Sequence, residues 1–336
     1  MITLKDLAHK LNVSVSTVSK ALNDSHEISP DTVRRVKELA KIYDYQPNRI
    51  AQSLKSNRSK TIGVIIPSIL NRFFAQVLFG VEKEAKKHGY NIITGFSNES
   101  LSNEKNCIQV LSNGSVDGFI LAVSEESQIL GDFEHFHNIQ RSRIPMVMFD
   151  RVLDDIECDK VLIDDYNAAK KATKTLIEKG KKQIAFISAI DDLHLGKLRK
   201  KGYNATVMTD YLSEMNPQVL VIKPEDDIQS QIMAFLLNNR SLDGVVCADN
   251  ITGTVLISVA NKLGYKIPED LSVIGFADEQ ISNLSSPKLS YIDQNAERIG
   301  SKAAALMIRR LNGSSELAVN GYITEKIPTS IVIKES

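Results

Sequence analysis

The sequence predicts two parts: a small N-terminal three-helix domain of the helix-turn-helix type, and a larger α/β body built as two lobes. Three observations carry this prediction. Apolar residues recur at helical spacing through the first 43 residues, whereas from Thr61 onward short apolar runs alternate with helical stretches. The charges divide at the same place, since residues 1–60 hold 11 Lys and Arg against 6 Asp and Glu, and residues 61–336 hold 30 against 35. The length of 336 residues suits two or three domains.

Two short helices and the turn between them form the first motif. Thr3, followed by Asp6, has the spacing of a capping box and predicts a helix whose apolar positions are Leu4, Leu7, Ala8 and Leu11. The run 12–14 interrupts this pattern with residues that tolerate turn geometry. A second helix is predicted to start near Val15, with Ser14 as its N-cap, and to bury Val18, Ala21 and Leu22.

The outward face of the second helix is suited to the major groove of DNA. Its residues are all small or basic: Val15, Ser16, Thr17, Ser19 and Lys20. Bulky side chains there would hold the helix backbone away from the base edges. The positive charge of residues 1–60 also suits contact with phosphates at one end of the chain. On this stretch alone an ordinary helical hairpin in a larger bundle is the alternative, and a solvated surface is the alternative for the charge.

A third helix completes the small domain, because two short helices cannot bury their apolar stripes alone. Ser29 is its predicted N-cap and Pro30 its first helical residue, and the inward positions are Val33, Val36, Leu39, Ala40 and Tyr43. Pro47 then stops helical geometry, since the residue before a proline disfavours it. The sequence therefore predicts a minimal core shared by three helices.

The segment after Pro47 reads as a hinge. Residues 48–56 predict a helix of barely two turns, too short to be stable alone in water, and residues 56–60 form a basic linker. Ile50, Ala51 and Leu54 are apolar but have no evident core to enter. The segment is either a frayed linker or a helix that folds on DNA, with Leu54 entering the minor groove as an apolar wedge.

The body has the pattern of parallel sheets covered on both faces. Strands with continuous apolar runs alternate with helices through residues 61–311, and there are too many strands for one comfortable sheet. Two lobes are therefore predicted. In open parallel sheets, ligands bind beyond the carboxyl ends of the strands, so two facing lobes would place a ligand in the cleft between them.

These residues together resemble a known family. The runs TLKDLAHKLNVSVSTVSKALN and ISPDTVRRVKELAKIYDYQPNRIAQSLKSNRSKTIGVIIP are similar to the LacI/GalR family of bacterial transcription regulators, and the similarity continues through GFILAV, FDR, SVIGFAD, SPKLSYIDQ and IPTSIVIKES. It covers essentially the whole chain. The resemblance implies a periplasmic-binding-protein type I fold for the body, with three crossovers between its lobes.

The resemblance also implies a domain plan and a set of partners. Residues 1–46 would be the helix-turn-helix domain, residues 47–60 the hinge helix and linker, and residues 61–336 the domain for effector binding and dimerisation. The first lobe would hold about 61–160 with 293–323, and the second 161–292 with 324–336. The expected partners are a double-stranded operator, a second copy of the chain in a homodimer or a tetramer, and a small-molecule effector. By family prevalence that effector is a carbohydrate, with a nucleobase next.

The DNA contacts carry over residue by residue. The resemblance assigns base selection to Val15 and Ser16, a major-groove contact to Lys20, and mainly phosphate contacts to Thr17, Ser19 and Asn23. Thr3, Leu4 and Ser14 complete the expected set in the head, and Asn48, Ala51 and Leu54 form the minor-groove element. Val15 and Ser16 are poor hydrogen-bond formers at these positions, so Val15 is expected to prefer a thymine methyl. Base discrimination should then depend on Lys20 and on bending of the DNA by the hinge.

The effector contacts are expected at strand ends in the cleft. The set is Ser68, Asn71, Phe73, Phe74, Asp150, Arg199, Asp249, Asn250 and Asp278, with at least one of the two phenylalanines expected in the core. Arg199 stands before Gly202 and Tyr203, matching the family's R-x-x-G-aromatic motif, whose arginine grips the effector.

The chain departs from the family pattern at several of these positions. Ala277 stands where the family commonly has an effector-binding Asp, with Asp278 next to it. Arg72 stands where Pro is common, and Asp249-Asn250 where Asn-Asp is usual. The identity of the effector is therefore open, and a protein corepressor in place of a small molecule is the second hypothesis.

Other classes of protein are disfavoured by what the sequence does not contain. Cys107, Cys158 and Cys247 are widely spaced and match no metal-ligand pattern, so neither a metal nor a cofactor is expected. A nucleophile with its base, a phosphate loop, an N-terminal leader and a bilayer-length apolar run are all missing, so we expect a cytoplasmic protein that is neither an enzyme nor membrane-bound. A sugar-binding receptor without DNA function is the remaining alternative, and the intact head argues against it.

Overall fold

The structure is a computed structural model that describes residues 2–45, 58–209, 217–223, 225–313 and 321–336. It divides into two units, Met1–Ser59 and Lys60–Ser336. The first is called the head below, and the second the body. Within the described ranges, no helix combines the length and the apolar character needed to cross a bilayer.

The head contains the three predicted helices, α1 (Leu4–Leu11), α2 (Val15–Leu22) and α3 (Pro30–Ile42). All three predicted N-caps are confirmed. The hydroxyl oxygens of Thr3, Ser14 and Ser29 accept hydrogen bonds from the third amide of the helix that follows, at 3.2, 3.1 and 3.4 Å. The three helices share one small core, whose buried members are Leu7, Ala8, Val18, Ala21, Val36 and Ala40.

The first lobe of the body is a parallel sheet of six strands. In chain order they are β1 (Thr61–Ile66), β2 (Asn91–Phe96), β3 (Gly118–Leu121), β4 (Met146–Phe149), β5 (Asp159–Ile163) and β11 (Thr324–Ile327). Their order across the sheet is β11-β5-β4-β3-β1-β2. The sheet is covered by α4 (Arg72–Lys87), α5 (Leu101–Ser112), α6 (Glu125–Leu130), α7 (Glu134–Arg141) and α13 (Ala296–Leu311).

The second lobe repeats this plan. Its strands are β6 (Ile184–Ser188), β7 (Gln218–Val221), β8 (Gly244–Cys247), β9 (Ser272–Phe276), β10 (Ser290–Asp293) and β12 (Ser330–Val332). Their order is β12-β10-β9-β8-β6-β7, and only the β10–β12 pair is antiparallel. The helices are α8 (Asp165–Glu178), α9 (His194–Thr209), α10 (Ile228–Asn238), α11 (Asn250–Lys262) and α12 (Glu279–Leu284). Both sheets have buried apolar side chains on each face, as parallel sheets require.

The predicted lobe boundaries are wrong at two places. Residues 161–163 and 324–327 were expected in the second lobe, but β5 and β11 pair with each other in the sheet of the first lobe. The chain therefore crosses between lobes at 163–165, 293–296 and 327–330. The sequence pattern gave little indication of this pairing, because β11 is a short, polar edge strand in which only Ile327 is buried. Its partner β5 alternates buried and half-buried residues in place of a continuous buried run.

Two helices of the first lobe cross at a pair of glycines. A Cβ atom added at Gly80 of α4 would lie 2.1 Å from the carbonyl oxygen of Glu297, and one added at Gly300 of α13 would lie 2.0 Å from that of Val77. Each helix therefore contacts the backbone of the other, where no side chain can yield. This contact holds α13, which follows the second crossover between the lobes, against α4, which begins at the cleft.

We expect Gly300→Ala to destabilise the protein by roughly 1–3 kcal/mol or more, although alanine favours a helix, because the new methyl group overlaps a backbone carbonyl. Chemical denaturation of both proteins measures the difference. Gly253→Ala in α11 is the control, since its Cβ would meet a movable leucine side chain at 3.0 Å. Equal stability of the two variants would contradict the interpretation.

Candidate DNA-binding surface and ligand cavity

The first turn of α2 presents the predicted DNA-contact residues to solvent. Val15 is 46% exposed, a large fraction for an apolar side chain, and nothing in the core of the head requires it there. The Ser14 hydroxyl lies 2.7 Å from Oγ of Ser16 and 2.8 Å from Oγ1 of Thr17. These hydroxyls form one linked group at the helix N-terminus, where backbone amides also point outward. Such a group can donate to phosphate oxygens.

The C-terminal half of α2 is organised by two further contacts. Lys20 forms an ion pair with Glu27 in the following loop, and both side chains are about half-exposed. Asn23 donates its side-chain amide to the carbonyl oxygen of Ser19 at 2.9 Å and so closes the helix end. Sequence reasoning did not identify Glu27, because its position in a polar loop shows no periodicity. The pairing holds the Lys20 ammonium beside the exposed face of α2.

The remaining predicted DNA contacts differ in accessibility. Thr3 is exposed, and its hydroxyl and amide both donate to the carboxylate of Asp6, at 2.7 and 2.8 Å. Leu4 packs in part against the core of the head, so only a portion of its side chain is open. Asn48, Ala51 and Leu54 lie outside the described residues, and their contacts stay predictions.

A cavity lies in the body at the carboxyl ends of six strands. Residues at or after the ends of β1, β4, β6, β8, β9 and β10 converge there from both lobes, as expected for parallel sheets. The cavity has a volume of about 90 Å³. The predicted effector residues on its wall are Asn71, Phe73, Phe74, Asp150, Arg199, Asp249, Asn250 and Asp278. Ser68 does not line it; its hydroxyl instead accepts the amide of Leu70 at 3.2 Å.

Arg199 is buried deep in the cavity wall, on the helix α9 that the sequence pattern did not reveal. Its Nε atom donates to Asp165 at 2.7 Å, Nη1 to the carbonyl oxygen of Ala248 at 2.6 Å, and Nη2 to Gln294 at 2.9 Å. The guanidinium plane lies 3.7 Å from the ring centre of Phe276. Arg199 therefore joins three separate segments of the wall. These bonds use three of its five N–H donors, so a ligand could receive only the remaining ones.

Asp150 is the carboxylate most available to a ligand. Within the described part of the chain its side chain has no hydrogen-bond partner, although it lines the cavity. Burial, followed by the neighbouring negative charge of Asp165, raises the pKa of Asp150 to about 6. Its backbone has a left-handed φ of 57°, a conformation that aspartate adopts more readily than most residues. A carboxylate on a cavity wall with a raised pKa and no hydrogen-bond partner is typical of a binding site.

Several other polar residues of the wall are occupied as helix caps. Asp249 caps α11, since its Oδ1 accepts a hydrogen bond from the backbone amide of Thr252 at 2.9 Å. Its Oδ2 accepts one from the backbone amide of Ala189 at 3.3 Å. Asp278 caps α12, and Asn71 caps α4. These side chains are fixed by the backbone, so they form a rigid rim. Phe74 is buried in the core and Phe73 only partly, as expected for one of the pair.

The structure adds wall residues that sequence reasoning missed as ligand contacts. Arg151 is buried, pairs with Glu99 at 2.6 Å, and lies over the ring of Phe74. Asp293 ends β10 and Gln294 follows it at the second crossover, and both line the cavity. The available signal was the run SYID, a short strand ending in a carboxylate, directly before Gln294.

Metal binding has no support in the described ranges, where no three His, Cys, Asp or Glu side chains are grouped to hold an ion. Cys158 and Cys247 are buried, Cys107 is partly buried, and all three are free thiols. Burial raises the pKa of each thiol, so none is set up as a reactive thiolate.

Comparison with known proteins identifies both parts of the chain. A profile described as bacterial regulatory proteins, lacI family, matches residues 3–48, and one described as periplasmic binding protein-like domain matches residues 173–336. The HTH-type transcriptional regulator RegA of Clostridium saccharobutylicum is 32% identical over 328 residues, which cover 96% of each chain. The similarity therefore extends from the head through both lobes.

Two solved structures have the same fold over the full length. The Lac repressor dimer bound to operator and the anti-inducer ONPF aligns with a TM-score of 0.85 at 20% identity, over 99% of this chain and 98% of that one. The transcriptional regulator CelR in complex with cellobiose aligns with a TM-score of 0.69 at 24% identity, over the whole of both chains.

The raised pKa of Asp150 predicts how stability depends on pH. Well below its ordinary pKa of 3.8 the carboxyl is protonated in both folded and unfolded chains, so it carries no penalty. As the pH rises to about 6, the folded protein loses stability because its buried carboxyl resists ionisation. We therefore expect Asp150→Asn to stabilise the protein by roughly 1–3 kcal/mol at pH 7.5 and by much less at pH 4.5, measured by urea unfolding.

Asp132→Asn is the control for this measurement. The pKa of Asp132 is lowered, chiefly by a hydrogen bond from Lys105, so its replacement should never stabilise the protein at neutral pH. An Asp150→Asn protein that gains the same stability at both pH values would refute the assignment.

Proposed function

Because the chain belongs to the lacI family of bacterial regulatory proteins, we propose that it represses transcription as a homodimer on a palindromic operator, with its operator affinity set by a small molecule in the cavity between the lobes. The chain is a DNA-binding transcription regulator and not an enzyme; the dimer, the operator symmetry and the ligand are the proposal. The observation that carries it is the polar cavity formed by strand ends of both lobes. Such a protein acts on chromosomal DNA, so we assign it to the cytoplasm.

Operator recognition is assigned to the exposed face of α2. Val15 can contact a thymine methyl, and the hydroxyls around Ser14 can contact phosphates, but neither distinguishes many bases. Lys20 is the group on this face best suited to a guanine edge. Asn48, Ala51 and Leu54 remain the proposed minor-groove element, with bending of the DNA supplying further selectivity.

A homodimer is proposed because one head offers few base-specific groups. Two heads on a twofold axis double the contacts and make operator symmetry follow protein symmetry. Leu70, Phe79 and Leu284 are large apolar side chains that are 93%, 56% and 81% exposed on the two lobes of the body. We assign these exposed apolar side chains to contact with a second copy of the chain, by analogy with the solved dimer of the same fold.

The ligand is proposed to be a neutral carbohydrate. The wall contains the carboxylates of Asp150, Asp249 and Asp293, whereas the positive charges of Arg151 and Arg199 are already paired with Glu99 and Asp165. A phosphorylated or otherwise anionic ligand would meet uncompensated negative charge. Hydroxyl groups can donate to Asp150, and Phe73 and Phe276 supply apolar contacts. A similar fold holds a sugar in the CelR–cellobiose complex.

Ligand binding would act by changing the angle between the lobes, and so whether the two hinges of a dimer can fold side by side on DNA. Coupling of this kind is typically about 1–3 kcal/mol, which changes operator affinity about 5–150-fold.

The DNA assignment is tested at Lys20. The reference DNA is the tightest-binding duplex selected from a random pool. We expect Lys20→Ala to lower affinity for this duplex by about 5- to 100-fold, because a base contact is lost. Affinity for duplexes that differ from it at one base pair should fall by less. Fluorescence anisotropy at fixed salt measures both. Glu27→Gln is the matched variant: it removes the partner of Lys20 and should tighten binding to every duplex. If Lys20→Ala loses the same affinity for every duplex, Lys20 contacts only phosphates and not a base.

The ligand assignment is tested by a thermal-shift screen of neutral sugars, sugar phosphates and nucleobases. We expect a neutral sugar to raise the melting temperature and to change operator affinity, because it binds only the folded body. Asp150→Asn should weaken that shift at pH 7.5 without impairing folding. A shift from a sugar phosphate or a nucleobase would overturn the neutral-sugar assignment, and a flat response to every compound would favour a protein corepressor.

A further inference from the structure

One ion pair connects the two lobes beside the cavity. Nε of Arg72, the first residue of α4 in the first lobe, lies 2.6 Å from Oδ2 of Asp278, the N-cap of α12 in the second lobe. The side chains are 34% and 18% exposed, so the pair is partly shielded from solvent. Arg72 is itself a departure from the family pattern, and Asp278 directly follows another, Ala277.

The position of Arg72 is unfavourable without this partner. The N-terminus of a helix carries a partial positive charge, so a cation in its first turn is destabilising. Asp278 compensates for that charge across the lobe boundary. Its other oxygen accepts the amides of Gln280 and Ile281 at 2.8 and 3.0 Å, which fixes the carboxylate in place. The acceptor is therefore held in position for Arg72 by its own helix.

The pair also stands between the cavity and a larger surface groove. Asp278 and Gln76 line both volumes, and Arg72 lines the groove. Gln76 and Asp278 come from opposite lobes, so both lobes form this boundary of the cavity.

We propose that the Arg72–Asp278 ion pair is a latch that holds the two lobes closed without help from a ligand. In the proposed function the cavity is the effector site, and the latch then sets how readily the lobes part to exchange effector. The regulator therefore has a closed resting form, maintained by its own residues.

A second contact across the cleft provides a reporter of closure. The backbone amide of His194 donates to Oε1 of Gln128 in the other lobe at 3.2 Å. His194 is the first residue of α9, and amides in the first turn of a helix have no acceptor within that helix. Its hydrogen exchange should therefore accelerate when the lobes separate, whereas Val246 within β8 should be insensitive to separation.

The test is hydrogen exchange of the full-length protein without ligand or DNA, resolved to single residues by mass spectrometry. Arg72→Gln and Asp278→Asn should each accelerate exchange at His194 by about two- to fivefold, the range for a partly exposed ion pair, and leave Val246 unchanged. Asparagine retains the oxygen that caps α12. The double variant should be no faster than either single variant, because one interaction is lost in all three.

Lys83→Gln is the matched control. Lys83 lies on α4, like Arg72, but its ion-pair partner Glu297, at 2.7 Å, lies on α13 of the same lobe. It should leave exchange at His194 unchanged. Unchanged exchange in Arg72→Gln, additive effects in the double variant, or an equal effect of Lys83→Gln would overturn the latch. Because neither sugar nor operator enters this experiment, its failure would leave the proposed function intact, and a failed sugar screen would leave the latch intact.

Discussion

The cavity depends on one buried guanidinium. Arg199 is only 3% exposed, and a charge removed from water is stable only when it is paired and fully hydrogen-bonded. Asp165 at the first crossover, Ala248 after β8 and Gln294 at the second crossover all bond to it. Its burial therefore requires these three segments to meet at one point. Two of them are places where the chain passes between lobes, so the same interaction that stabilises the wall also fixes where the lobes pivot.

This arrangement determines what the cavity can offer a ligand. The two arginines of the wall face inward to Asp165 and Glu99, and most carboxylates and amides of the rim cap helices or bond the backbone. Among the wall carboxylates of the described ranges, that of Asp150 lacks a hydrogen-bond partner. A site with rigid walls and an uncommitted carboxylate favours a neutral hydrogen-bond donor, because the protein does not need to reorganise to bind it.

Short-range sequence patterns correctly predicted the features that depend on neighbouring residues in the chain. The caps at Thr3, Ser14 and Ser29, the alternation of strands and helices, and the position of the cavity at strand ends all follow from short-range patterns. The failures have a common cause. Membership of β11 in the first sheet is decided by pairing with β5, far away in sequence. The α9 helix has no clear apolar stripe, because its buried face includes Arg199, Gly202 and Thr206. The Lys20–Glu27 and Arg72–Asp278 ion pairs likewise have no periodic signature.

The departures from the family pattern at Arg72 and Ala277 are linked through one interaction in the structure. In the family resemblance, the residue at Ala277 would be an aspartate that bonds the effector, and Arg72 would be a proline. Here the carboxylate stands one residue later, at Asp278, where it caps α12 and pairs with Arg72 of the opposite lobe. A carboxylate that would have contacted ligand thus contacts protein instead. In the proposed function, a ligand would take its polar contacts from Asp150 and from Asp293 and Gln294 at the second crossover between the lobes. A ligand held at that crossover can bias the lobe angle directly, which is the requirement for a regulatory effect.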